Sequence, residues 1–255
     1  MNQILITKKL YITPELKRKK KVYKFNFLVS LFVVVILSSV YIYAEYDRNK
    51  SEETSQEILS TIEEQQDNTV AQNKNILIVV LDEENEIDEE EQQEIIEEQE
   101  RAMATANQPT TVVNTTKDGY KYKTIATVNI PKIGVNYPIL DGETDSVEET
   151  EALLKIAPTK FWGANPHEVG NFCIVGHNYR NKKFFSKVPT LINGDIIEIT
   201  DMRGKTVQYK VYDNYKVDPS NTDCTTQLTN GKKEITLITC TDDSKLRVIV
   251  KARAI

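Results

Sequence analysis

The reactive side chains of this chain sit where apolar runs end. The segment Glu234–Arg253, EITLITCTDDSKLRVIVKAR, holds two β-branched runs, Ile235–Thr239 and Leu246–Val250, around a polar turn, Asp242–Lys245. That is the pattern of strand, turn and strand. Cys240 closes the first run and Arg247 opens the second, seven positions later. Two adjacent strands would bring both side chains to one mouth of a sheet. Cys240 then has three readings: a buried structural thiol, a disulfide partner, or a nucleophile that needs a base and a positive neighbour to supply thiolate.

The search for a base is short, because the chain has two histidines. His177 follows the apolar run Phe172–Gly176 in FCIVGHN and so stands at a strand end, whereas His167 lies in NPHEVGN, a surface-loop composition. Three cysteines are an odd number and too few for a disulfide-stapled scaffold. Outside the cytoplasm at least one would stay a free thiol. Cys173 shares a strand face with Val175 and His177 by period-two counting and reads as core. Cys224 falls in a polar loop and is assigned no role.

A strand ending TLITC, an arginine seven residues on, and an upstream strand ending GH together resemble the sortase family over Thr124–Ile255. Sortases are membrane-anchored cysteine transpeptidases of Gram-positive cell surfaces. The resemblance implies an all-β fold, an eight-stranded sortase-type β-barrel with short helices; no cofactor and no metal-ligating residue is assigned. It implies that Cys240 is the nucleophile, His177 the proton donor and acceptor, and Arg247 the stabiliser of the oxyanion or substrate carbonyls. A thiolate attacks an amide carbonyl and leaves a thioester that an amine opens. Arginine is always charged and offers several donors, and imidazole moves protons near neutral pH. The bland alternative for Arg247 is a surface salt bridge. Thr239, alternating to the other face, has at best a role in the substrate wall. Asn178 is a candidate to orient His177 or contact substrate, though exposed loop polarity explains it equally well.

By the same analogy the partners are surface proteins with a C-terminal LPxTG-like signal, cleaved between Thr and Gly, and an amine of a peptidoglycan precursor or pilin. The short interval between Val217 and Ile235 lacks the helical insertion of class B. No DP-aromatic lid motif precedes the barrel and no hydrophobic segment follows Ile255, which counts against class C. The remaining expectation is class A, D or E, nearest to class D. Two other functions compete with this reading. One is a catalytically silent, membrane-tethered peptide-binding module on the same barrel. The other is a cysteine L,D-transpeptidase, whose motif places Gly before the Cys and Arg very soon after it. Thr239 and the seven-residue interval disfavour the latter.

The net charge of −6 conceals three regions. Residues 1–24 carry eight basic side chains and one acidic, a net +7; residues 45–108 carry four basic and twenty acidic, a net −16; residues 117–255 come to +3. The near-neutral last region has no basic stripe, which argues against nucleic-acid binding.

Residues 1–24 read as a basic cytoplasmic tail and Phe25–Ala44 as a transmembrane helix, twenty residues without a charge. At about 1.5 Å per residue such a helix spans the ~30 Å hydrocarbon core. A cleaved signal peptide is the competing reading. The length of the apolar stretch and Ile42 and Tyr43 at its end oppose it, and Tyr41, Tyr43 and Tyr46 suit the membrane interface. Basic residues before the span place the N-terminus in the cytoplasm and the rest outside.

Residues 45–116 read as an acidic extracytoplasmic spacer. Asp82–Glu100 alone holds twelve acidic side chains and no basic one, which predicts an extended or partly helical tether. A calcium site is conceivable there, without an EF-hand-type loop. Ile76–Leu81 is a short helical patch or stray strand, and Gln108–Thr116 a flexible linker. Residues 117–255 form the expected catalytic domain, with strands at Thr124–Ile130, Val135–Leu140, Phe172–Val175, Ile196–Thr200, Val207–Val217 and the two final runs. A short helix is expected at Asp145–Leu154, capped by Thr144 or Asp145 and offering Val147, Leu153 and Leu154 to the core. Phe184–Leu191 reads as a turn or helical piece.

Overall fold

The computed structural model describes residues 14–80, 113–144 and 146–255. The basic tail up to residue 13, the acidic run Asp82–Glu100 and the proposed cap Asp145 lie outside them. The chain divides into two compact units, one up to Asp47 and one from Arg48 to Ile255. Helix α1, Pro14–Val80, runs through Phe25–Ala44, where large apolar side chains such as Phe25, Leu28, Phe32 and Leu37 are exposed. It is the one helix among the described residues that is long and apolar enough to cross a membrane, with a mean hydropathy of 2.4 in its most apolar window.

The second unit is a closed barrel. Its strands are β1 (Val113–Thr115), β2 (Lys121–Ile130), β3 (Val135–Gly142), β4 (Thr159–Gly163), β5 (Gly170–Val175), β6 (Ile196–Asp201), β7 (Thr206–Val217), β8 (Lys233–Cys240) and β9 (Arg247–Ala254). They are ordered β1-β2-β3-β4-β5-β8-β9-β7-β6, and β2 pairs with β6 to close the circle. Eight strands therefore make the expected barrel. β1 is an extra strand on the rim, formed within the stretch read as a flexible linker. β4 did not announce itself: TKFWG is short and lacks alternation.

Period-two alternation fills the interior. Ala126, Val128 and Ile130 of β2, Tyr137 and Ile139 of β3, Phe172 and Ile174 of β5, Ile235 and Leu237 of β8, and Val248 and Val250 of β9 share one core. Fully burying each large aliphatic or aromatic side chain is worth roughly 1.5–3 kcal/mol. Between β2 and β3 the PKIG segment makes one 3-10 turn, and Gly134 closes it at φ 66°, its N–H donating to the Pro131 carbonyl. A β-carbon is disfavoured in that left-handed conformation.

Helix α2 spans Val147–Leu154. Its cap is Ser146, whose Oγ accepts from the Glu149 N–H at 3.1 Å, rather than Thr144 or Asp145. Val147 is exposed while Ala152, Leu153 and Leu154 are buried. Thr144 instead donates its N–H to the Glu149 carboxylate at 2.8 Å.

The residues read as a solvated tether also behave differently in part. Within α1 Ser55, Leu59 and Ile62 are buried, and Ile58 packs on the cluster of Tyr122, Leu140, Leu153 and Ala157. Those positions recur at helical spacing and form one face, so this stretch belongs to the barrel's packing.

Candidate functional site

The site lies at one end of three neighbouring strands. β5 and β8 run parallel, pairing Gly170–Val175 with Lys233–Ile238. The next backbone bond, Gly176 N–H to the Ile238 carbonyl at 3.0 Å, carries the pairing one step on and sets His177 beside Cys240. β8 and β9 are antiparallel, and Cys240 faces Arg247 directly. Side chains of Phe172, Ile174, Leu237 and Val248 point inward. Alternation therefore sends His177, Cys240 and Arg247 to the same outer face. Cys173, Cys224, Ile238 and Ile249, with Val175, Tyr215 and Val217 against them, form an apolar cluster on that face.

Cys240, His177 and Arg247 are each half-buried. An Arg247 guanidinium N–H donates to the Cys240 Sγ at 3.2 Å. Burial, aided by the Lys155 charge and opposed by that of Glu151, pushes the His177 imidazolium below its ordinary value of 6.5. Neutral imidazole, able to accept a proton, is thus the favoured form at neutral pH.

Asn178 ties the two strand ends together. Its side-chain amide donates to the Cys240 carbonyl at 3.0 Å and to the Asp242 carboxylate at 2.9 Å, and Arg180 donates to Ser244 Oγ at 3.0 Å. The loop after β5 is thereby clasped to the turn between β8 and β9. Thr239 is buried, and its hydroxyl donates to the Gly176 carbonyl at 2.8 Å. It sits inside the barrel rather than on a wall that substrate could reach, and holds the backbone just before His177.

The other sequence candidates fall elsewhere. His167 is buried at φ 66° with Nε2 on the Lys205 carbonyl at 2.9 Å and Nδ1 without a partner. Its neighbourhood is Lys205 and Asp201, and burial lowers its pKa. All three cysteines are free. Cys173 is sealed and burial pushes its thiol up to about 12, and burial also raises that of Cys224. Both are poor sources of thiolate. Among the described residues no group of three or more acidic, histidine or cysteine side chains is placed to hold a metal ion.

Sequence reasoning missed the shell behind the imidazole. The His177 and Tyr179 rings lie 4.9 Å apart, Tyr179 meets Phe184 edge-on at 5.4 Å, and Phe184 stacks on Tyr137 at 4.9 Å. Gly176 is required by Phe185: a β-carbon there would lie 2.5 Å from the Phe185 ring. The clustered aromatics of HNYRNKKFF were the available signal.

A family model described as the sortase domain matches residues 128–255. No curated protein matches the chain. Among solved structures, a Clostridium perfringens sortase D5 transpeptidase is 36% identical, over 52% of this chain and 79% of that one, with a TM-score of 0.44. Sortase C-1 of Actinomyces oris is 26% identical over 51% and 71%, with a TM-score of 0.45. A lid mutant of Corynebacterium diphtheriae sortase A is 25% identical over 58% and 74%, also at 0.45. With half of its length matched by the family model, carrying the site just described, the chain belongs to the sortase family.

Proposed function

We propose that the protein is a membrane-anchored cysteine transpeptidase that cleaves an LPxTG-like sorting signal between Thr and Gly and transfers the acyl group to a cell-wall amine. The observation that carries the reading is the convergence of Cys240, Arg247 and His177 on one rim, with the guanidinium 3.2 Å from the sulfur. Neutral His177 takes the thiol proton as Cys240 Sγ attacks the Thr carbonyl carbon. Arg247 donates to the oxygen as charge gathers on it. His177 returns the proton to the departing Gly nitrogen, and the C–N bond breaks to leave a thioester. The incoming amine loses a proton to His177, attacks the thioester and frees the thiol.

Asn178 and Thr239 position this apparatus, one by tying the loop to the Cys240 carbonyl and the other by holding Gly176. Phe25–Ala44 serves as the single anchor, with the basic tail in the cytoplasm and the barrel outside. The short connection between β7 and β8, which carries only one 3-10 turn at Asp223–Thr225, supports a class D-like member over class B. The acceptor is an amine of a peptidoglycan precursor or a pilin.

The test is cleavage of an LPxTG-type peptide library by the full chain in detergent, with and without Cys240→Ala. Cleavage between Thr and Gly that vanishes in Cys240→Ala is expected. Binding without turnover in the unaltered chain would instead identify a silent peptide-binding module.

A further inference from the structure

The stretch of α1 that follows the apolar segment in sequence is fastened to the loop bearing His177. Asn49 Oδ1 accepts from Lys183 Nζ at 2.7 Å, and Glu52 forms an ion pair with the same ammonium. Glu52 also accepts from the Tyr137 hydroxyl at 3.2 Å, and Gln56 donates to the Asn136 carbonyl at 3.1 Å. The Arg48 guanidinium lies 5.9 Å from the centre of the Tyr179 ring. Positions 49, 52, 56 and 59 fall on one helix face, and Leu59 and Ile62 anchor it by burial.

The loop so held is not relaxed. Arg180, Lys182 and Phe184 all have positive φ, at 60°, 71° and 48°, a backbone region disfavoured for bulky side chains. Surrounding contacts must hold it in place. Tyr137 is the link: its hydroxyl donates to Glu52 and accepts the Phe184 N–H at 3.1 Å, while its ring stacks on Phe184. Phe184 meets Tyr179, and Tyr179 meets His177. An unbroken series of contacts thus runs from Glu52 to the imidazole.

Building on the transpeptidase reading, we propose that the Asn49–Ile62 stretch of α1 is a strap, with Glu52 and Lys183 as positioning residues that set His177 through Tyr137, Phe184 and Tyr179. None of these groups touches the reacting atoms. They act by keeping the imidazole packed and turned toward Cys240, so loosening the strap slows the chemical step more than it weakens substrate binding.

The two histidines allow a direct test in the full chain in detergent micelles, with ring nitrogens followed by NMR through a pH titration. His177 reports the strap, and His167, held by the Lys205 carbonyl, serves as internal control. The charges that act on His177 in the folded protein, Glu151 of α2 and Lys155 just after it, are left unchanged. Glu52→Ala and Lys183→Ala should each raise the His177 midpoint toward the ordinary imidazole value and leave that of His167 in place. With a cleaved peptide, kcat should fall about tenfold and KM less than about twofold. Glu53→Gln, on the exposed side of the same turn, should change neither readout. A His177 titration identical to the unaltered protein's, or equal movement of both histidines, overturns the strap. If the unaltered chain cleaves no sorting-signal peptide the transpeptidase reading fails instead, and the titration still decides whether the strap exists.

Discussion

Cys240 and Arg247 face each other across β8 and β9, and the guanidinium reaches the sulfur at 3.2 Å. The pairing needs no long-range luck. The intervening turn is fixed by Thr241, whose N–H donates to the Leu246 carbonyl at 3.0 Å and whose Oγ1 accepts the Leu246 N–H at 3.1 Å. Arg247→Ala should therefore leave the barrel folded while lowering kcat/KM by about 10²–10³-fold, the usual cost of losing an oxyanion donor. Arg247→Lys keeps the charge without the planar fork and should recover only part of the loss. Steady-state cleavage of a sorting-signal peptide measures both.

Thiol labelling separates the three cysteines. Cys240 is half-buried beside a guanidinium, whereas Cys173 and Cys224 are buried, with thiol pKa values raised by burial. Iodoacetamide on the native protein should add one group per chain, at Cys240, and three after denaturation. Intact-mass analysis reads the number, and the singly labelled protein should be inactive.

Gly176→Ala places a β-carbon 2.5 Å from the Phe185 ring in a sealed part of the core. Overpacking of this kind costs about 1–3 kcal/mol, and any shift moves the neighbouring His177. A lowered Tm together with reduced turnover is expected, measured by thermal unfolding and peptide cleavage.

Acid should destabilise the barrel through its histidines. Burial depresses the folded-state pKa of both His167 and His177 below 6.5, so in the window below that value the unfolded chain binds more protons. Their stabilising contribution is present above 6.5 and is lost as pH falls through the lower folded values. Tm measured from about pH 8 down to about pH 5 should fall, and His167→Gln should flatten part of that fall without removing the acid limb of activity set by His177.

The turn-flanked pair of final strands was readable because each run is β-branched, bounded by polar residues, and long enough to show alternation. Ser146 as cap was also legible, since Ser-Val-Glu-Glu places a carboxylate three residues on, but neighbouring Thr144 competed for the assignment. The helical face Ser55–Leu59–Ile62 was obscured by acidic residues on the remaining sides, so composition suggested a tether where spacing encoded packing. The clustered aromatics after His177 hinted at Tyr179 and Phe184, but Tyr137 joins them from over forty positions away, and no local pattern announces that contact.

Parallel pairing of β5 with β8 joins residues some sixty positions apart, and β8 and β9 are the last two strands described. A polypeptide still being synthesised, or clipped before Cys240, would hold His177 without its strand neighbours Cys240 and Arg247. Assembly of the barrel thus works as a maturity check: the three side chains of the proposed site meet only in the fully wound sheet.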